Sequence, residues 1–201
     1  MYIPEKFAVD DPESIARFLD AYPFALLVSS GDSCPEAVHL PLIRLDAHTL
    51  YGHVARANPL WRVWTDAPRV LAIFSGPHAY ISPRWYVSEN NVPTWNYAAV
   101  HVQGEVALVD NDAHLPLLER MIAAFEGPDG WRLPEDARWV APMLRGTVGF
   151  TIAIASIEAK FKMSQNKSEA DARAAMAQLA ASPRASDRET EEFMQGLRGS
   201  V

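Results

Sequence analysis

The sequence is poor in the residues that build covalent or metal frameworks. Its 201 residues hold one cysteine, Cys34. No internal disulfide can form, which points to a reducing, cytoplasmic setting. Lysine is almost as scarce, with four among 201 residues. Cations do not exceed anions: the formal net charge is −7, which argues against a general nucleic-acid binder with a basic stripe. No apolar run approaches the ~20 residues of a membrane span. The first seven residues lack the apolar core of a signal peptide. Internal repeats and low-complexity tracts are absent; the alanine-rich run from Ala170 to Ala181 has helical spacing. Nucleotide and hydrolase signatures are also missing, with no P-loop, no G-x-G-x-x-G and no G-x-S-x-G. His39, His53 and His101 share no ligand spacing and have no cysteine or carboxylate beside them, so no metal site is expected.

What is present is a hydrophobic fraction of 49% with six tryptophans, enough for one substantial core. Three of the four lysines, Lys160, Lys162 and Lys167, fall within Glu158–Ser168. Before them Val148, Phe150, Ile152 and Ile154 alternate as a half-buried strand does. Ile157, Ala159, Phe161 and Met163 continue on the opposite parity, which predicts a β-bulge near Ala155-Ser156. Lys160, Lys162 and Ser164 then share a face beside Gln165 and Asn166. Such a row suits a phosphate or other anion. The alternative is a solvated edge strand guarded by lysines.

Read in order, Asp11-Pro12 starts a first helix with Ile15, Phe18, Leu19 and Tyr22 on its buried stripe. Strands are expected over 24–30, 37–42, 49–55, 70–75, 79–82 and from Trp95 to Leu108. Gly31-Asp32 reads as a turn, Pro41 as an edge or bulge, and Gly76-Pro77 as a strand end. Asn58-Pro59 opens a short helix to about Thr65. Asp112 reads as the cap of a helix with a Leu115, Leu118, Ile122 and Phe125 stripe. One short helix or irregular chain covers 133–144. Capping boxes at Ser168–Asp171 and Ser186–Glu189 start two C-terminal helices, the second ending at Gly199. Tight turns between strands disfavour a doubly wound sheet. The class is α+β, mainly antiparallel β: a small barrel with peripheral helices, ahead of an open α+β sandwich. The expected division is 1–167 for the barrel and 168–201 for the helical pair.

Two further stretches suit ligand chemistry. In Gly52–Pro59 a strand end, Arg56 and a helix start come together, as an anion site requires; a surface arginine beside an N-cap is the alternative. Ser75–Tyr86 and Val92–Tyr97 place aromatics beside Ser, Thr and Asn around a short polar loop. Such a pair suits a flat heteroaromatic ligand, or forms a packed Pro- and Trp-rich corner. The C-terminal helices mix Arg173, Arg184, Arg188 and Arg198 with six acids, unlike a phosphate-tracking face.

Met1–Pro4 with Phe7, His39–Leu42, Gly52–Pro59, Gly76-Pro77 through Tyr80–Pro83 with Trp85-Tyr86, Val92–Tyr97 and Phe161–Lys167 together resemble the PaiB family. That family is described as FMN-binding negative transcriptional regulators. The resemblance runs from the first residue to about Lys167. It implies a split β-barrel and a homodimer with flavin sites at the subunit interface. It implies that His39, Leu40, Pro41, His53, Val54, Ala55 and Arg56 line FMN, with Arg56 and Asn58 near the phosphate. Ser82, Thr94 and Trp95 would lie on the partner-facing side, and Lys162, Gln165 and Asn166 would add a cation and amides. Ala55 and Ala57 flank a single Arg56, where flavin-oxidase relatives carry a denser cluster, which implies weak FMN occupancy. The function implied is FMN-dependent regulation without direct DNA reading. The alternative is an FMN-dependent oxidoreductase or flavin reductase using NADH or NADPH, with His39, His53, His101 and Tyr97 as proton-transfer candidates. A third possibility is an interaction module without flavin.

Overall fold

The structure is a computed structural model that describes residues 1–30, 34–134 and 138–199. The Gly31-Asp32 turn lies outside the described residues. Along the chain come α1 (Pro12–Ala21), β1 (Phe24–Ser29), β2 (Glu36–Pro41), β3 (Ile43–Arg44), β4 (Thr49–Ala55), α2 (Leu60–Asp66) and β5 (Arg69–Ile81). Then follow β6 (Thr94–Leu108), α3 (Asn111–Glu126), α4 (Val140–Arg145), β7 (Thr147–Lys162), α5 (Glu169–Ala180) and α6 (Ala185–Gly199). The strands form one seven-stranded sheet in the order β2-β1-β5-β6-β7-β4-β3. β1 pairs antiparallel with β2 and β5, and β4 pairs antiparallel with β3 and β7. β2, which ends on Pro41, lies at one edge, where its missing donor costs no ladder bond.

The chain divides into two compact units. One comprises Ala16–Phe74 and His101–Ile157. Its core follows the two-residue period of β4 and β7. Leu50, Phe150 and Ile152 are fully buried and Val54 nearly so. Gly52 fits between them because a Cβ there would stand 2.6 Å from Leu42 Cδ2 and 3.0 Å from Phe150 Cζ. From α2, Trp64 packs on Phe150 with ring centroids 4.6 Å apart. Its indole N–H donates to Ser29 Oγ at 2.8 Å, so the buried polar edge is satisfied. α3 differs from expectation in cap and stripe. Asp110, not Asp112, is the N-cap, and its carbonyl accepts from the amides of Ala113 and His114. The face toward the core therefore carries His114 and Met121, both buried, while Phe125 is half exposed.

The other unit comprises Met1–Ile15, Ser75–Val100 and Glu158–Val201. Asp11 Oδ2 accepts from the Ser14 amide at 2.8 Å, capping α1 as its sequence predicts. Gly76-Pro77 does not end a strand: β5 is continuous over 13 residues. Buried positions shift from Val70, Ala72 and Phe74 to Pro77, Ala79 and Ile81. The dipeptide thus changes the face parity of an unbroken strand. β7 shows the expected switch, from Val148, Phe150 and Ile152 to Ala159 and Phe161. Ser168 caps α5, its hydroxyl accepting from the Asp171 amide at 3.1 Å. α6 starts earlier than expected, at Ala185. Ser182 replaces Ser186 at its mouth: it accepts from the Arg184 amide at 3.3 Å and donates to Asp187 Oδ2 at 2.6 Å.

Candidate functional site

The lysine stretch is not a solvated edge. Lys160 is buried at 7% exposure. Its Nζ donates to the Tyr2 carbonyl at 3.1 Å and lies 5.7 Å and 5.1 Å from the ring centroids of Tyr2 and Tyr97. Two tyrosine faces and a carbonyl stand in for lost hydration. Lys167 is half-buried, donating to Asn91 Oδ1 at 2.6 Å and lying 4.6 Å from the Tyr86 ring centroid. Lys162 donates to Thr94 Oγ1. The solvated-edge alternative therefore fails for Lys160 and Lys167: Tyr2 and Tyr97 cover the first and Tyr86 the second.

The sharp turn after β7 is what aims this group. Ser164 adopts a positive φ of 63°. Gln165 holds the turn closed, accepting from the Met163 amide at 2.6 Å and donating to the Phe161 carbonyl. Both ends of its amide are engaged locally, so its role here is to shape the turn. Ser164 Oγ accepts from Asn96 Nδ2 at 3.0 Å.

Within this unit Lys6, Lys162 and Lys167 line a small cavity of about 170 Å³, with Thr94, Asn166 and Tyr86. Among the described residues no carboxylate lines it. Burial pushes the Lys162 ammonium below its ordinary pKa, and the like charges of Lys160 and Lys167 add to that. Each lysine has three donors, so the bonds to Thr94 and Asn91 leave others for a ligand. The Tyr86 hydroxyl faces Ser164 without the geometry of a hydrogen bond, and it has no partner among the described residues. Burial pushes its pKa up, with the Asp171 charge adding to that, so it remains a neutral donor. Lys6 was not singled out from the sequence, and Tyr86 entered only as the end of the aromatic segment Ser75–Tyr86; the fold brings both to β7.

The rest of the expected set in this unit is less concentrated. Ser82 accepts from the Arg84 amide at 3.3 Å as a local cap. Trp95 is 53% exposed, with His78 and Tyr80 rings about 6 Å away.

In the other unit, Arg56 is largely engaged by backbone. Nε donates to the Arg145 carbonyl at 2.6 Å and Nη2 to that of Thr147 at 2.9 Å. This fork clamps the start of β7, leaving less for a phosphate. Asn58 Oδ1 accepts from the Leu60 amide at 3.0 Å, opening α2. Leu40 and Val54 are core residues, while Ala55 and His39 are exposed, His39 near the Phe24 ring at 6.2 Å. Pro41 is half-buried at the end of β2.

His53 belongs to a cluster that its sequence neighbours do not announce. His114 Nδ1 lies 3.1 Å from Tyr51 Oη, and Nε2 lies 2.8 Å from Thr147 Oγ1. The Thr147 hydroxyl donates to the Leu144 carbonyl at 3.0 Å. Thr147 Oγ1 must then accept from His114 Nε2–H, which leaves Nδ1 to accept from the Tyr51 hydroxyl. His114 is therefore the neutral Nε2–H tautomer. The His53 ring stands edge-on to His114, centroids 6.3 Å apart. Burial lowers the pKa of both histidines, and the charges of His53 and Arg56 lower that of His114 further. Among the described residues no group of three His, Cys, Asp or Glu could hold a metal, and no helix is long and apolar enough to cross a membrane.

An antiparallel sheet of this order, with helices appended, is the α+β split-barrel fold of flavin-binding proteins. Two solved structures share it. One is the FAD and heme binding protein from Mycobacterium smegmatis: TM-score 0.63, 15% identity, 77% of this chain and 73% of that one. The other is the flavocytochrome Anf3 from Azotobacter vinelandii: TM-score 0.63, 20% identity, 77% and 69%. Residues 1–156 match the family described as "Putative FMN-binding domain". The chain is 39% identical over 178 residues to the Protease synthase and sporulation protein PAI 2 of Bacillus subtilis (strain 168), covering 85% of each. The chain belongs to this FMN-binding, PaiB-type family, and FMN is the cofactor that goes with it.

Proposed function

We propose that this chain is an FMN-binding regulatory protein of the PaiB type, located in the cytoplasm and acting as a homodimer with flavin at the subunit interface. The observation that carries the reading is the lysine-lined cavity. Three lysines line it, Lys162 and Lys167 half-buried and Lys6 exposed, with no carboxylate among the described lining residues, and partly desolvated cations favour an anionic partner. At about 170 Å³ it is smaller than the usual ~300–1,000 Å³ of a whole-ligand pocket. It suits the phosphate of FMN, with Lys162, Lys167 and Asn166 as donors. When bound, FMN supplies its own redox chemistry; the chain supplies the charge that holds its acidic end. His39, Pro41, Ala55 and Trp95 are the accessible members of the wider lining that family membership suggests.

Direct DNA reading is no part of this proposal. Arg173 and Arg198, on α5 and α6, share Glu169 as their ion-pair partner, which offsets part of the positive charge that this helical pair could offer a phosphate backbone. The test is an absorbance spectrum of freshly purified protein, followed by FMN titration and sedimentation. Flavin bands, or quenching of added FMN on a dimeric species, are expected. Colourless protein that gains no flavin absorbance and no thermal shift would remove the ligand from the reading.

A further inference from the structure

A second cavity, of about 320 Å³, lies within the unit that holds β4 and α3. It is lined by His53 and Thr147, by Leu118 and Ile122 of α3, and by the more exposed Trp139 and Met143. Trp131, Trp139 and Met143 are 49%, 46% and 62% exposed. Among the described residues no charged side chain lines it. Apart from the indole N–H groups of Trp131 and Trp139, the polar side chains among the described lining residues are His53 and Thr147. Thr147 is already satisfied on both sides, by His114 and the Leu144 carbonyl. That leaves one buried polar atom of the lining wanting a partner: His53 Nδ1, without one among the described residues. A buried polar atom left unpaired is costly and calls for an explanation.

We propose that this cavity binds a small, neutral aromatic molecule of one or two fused rings, carrying one hydrogen-bonding group that meets His53 Nδ1. The cavity lies at the lower end of the ~300–1,000 Å³ typical of ligand sites, which limits the occupant to that size. Indole and thioether groups in the lining favour a flat ring. An anionic ligand is excluded because no described residue of the lining carries a positive charge to compensate it. The neutral state of His53 fits such a ligand, since burial disfavours its imidazolium form. Family membership brings His53 toward FMN; this inference assigns its Nδ1 to a different and uncharged occupant. It does not depend on FMN being bound.

The test uses the full chain and 2-naphthol, followed by titration calorimetry with and without saturating FMN. Saturable one-to-one binding of 2-naphthol is expected. Naphthalene, which lacks the hydroxyl, should bind roughly fivefold more weakly, the worth of one hydrogen bond. Anionic 2-naphthoate should not bind. Met143→Trp, at an exposed lining position, should block the cavity and abolish binding while the chain stays folded. His53→Phe should equalise 2-naphthol and naphthalene. Absence of binding, equal affinity for 2-naphthoate, or unchanged binding by Met143→Trp would overturn the proposal. So would displacement of 2-naphthol by FMN, which would assign the cavity to the flavin. A protein that binds 2-naphthol yet no FMN would overturn the flavin reading alone.

Discussion

Asp171 and Ser88 lock together through both carboxylate oxygens. Oδ1 accepts from the Ser88 amide at 2.9 Å and from that of Val87 at 2.8 Å, while Oδ2 accepts from the Ser88 hydroxyl at 2.7 Å. The first turn of α5 is thereby tied to the loop that leads toward Thr94, on the wall of the lysine cavity. These bonds hold the Asp171 carboxyl down at a pKa of about 2, the Ser88 amide contributing most. An unfolded aspartate titrates near ~3.9. With the folded value depressed, the stabilisation is fully present above about pH 4 and is lost as pH falls toward about 2. Asp171→Asn should flatten the acid limb of an unfolding-midpoint profile between those values. A variant whose acid limb matches the parent's would show the tie to be without energetic weight.

Lys162→Ala should weaken FMN binding tenfold or more, since a hydrogen bond to a charged group contributes about 1.5–3 kcal/mol. Circular dichroism and sedimentation should be unchanged, because the side chain is only half-buried beside Thr94. Affinity should also fall as pH rises through a value below the ordinary lysine range. The cation is the form that holds the anion, and burial makes it lose its proton early. Flavin-fluorescence titration across pH 7–10.5 reads both effects.

Local signals were legible where both partners lie close in sequence. Asp11 before Pro12, the alternation of β4 and the Ser168–Asp171 box each involve residues within one turn or strand. The parity switch near Ala155-Ser156 was legible too, because β7 carries it within one strand. Gly76-Pro77 misled because a parity change and a strand end share the same dipeptide signal. The missed associations are non-local. Lys6 and Tyr86 reach Lys162 across some 156 and 76 positions of chain. His114 sits among leucines on a helix whose stripe depends on the cap being Asp110. Asp171 was visible as a capping-box residue; its bonds to Ser88 were not.

Gly149→Ala should destabilise the fold by about 1–3 kcal/mol, in the range of overpacked core sites. A Cβ at Gly149 would fall 2.2 Å from His114 Nδ1. That atom already accepts from Tyr51, and the ring is held at its other nitrogen by Thr147. The ring cannot yield without breaking a buried bond. In a double-mutant cycle, Tyr51→Phe and Gly149→Ala should therefore be non-additive. Additive urea midpoints would place the clash elsewhere.

His53 and His114 make the fold sensitive to mild acid, in a pH window above the one in which the Asp171 bonds are lost. Both have folded pKa values below the ordinary ~6.5, mainly through burial. The unfolded chain then binds more protons than the native one as pH falls through 6.5, so stability should decline below that pH and stay flat above it. Asp171 cannot account for a loss in this window, because its stabilisation persists down to about pH 4. His114→Gln keeps a hydrogen-bonding group toward Tyr51 but cannot titrate, and it should remove part of the slope between pH 6.5 and 5. Urea midpoints at pH 7.5, 6.5 and 5.5 for parent and variant separate the two. A parent midpoint that is level across this range would mean that neither imidazole is held neutral by the fold.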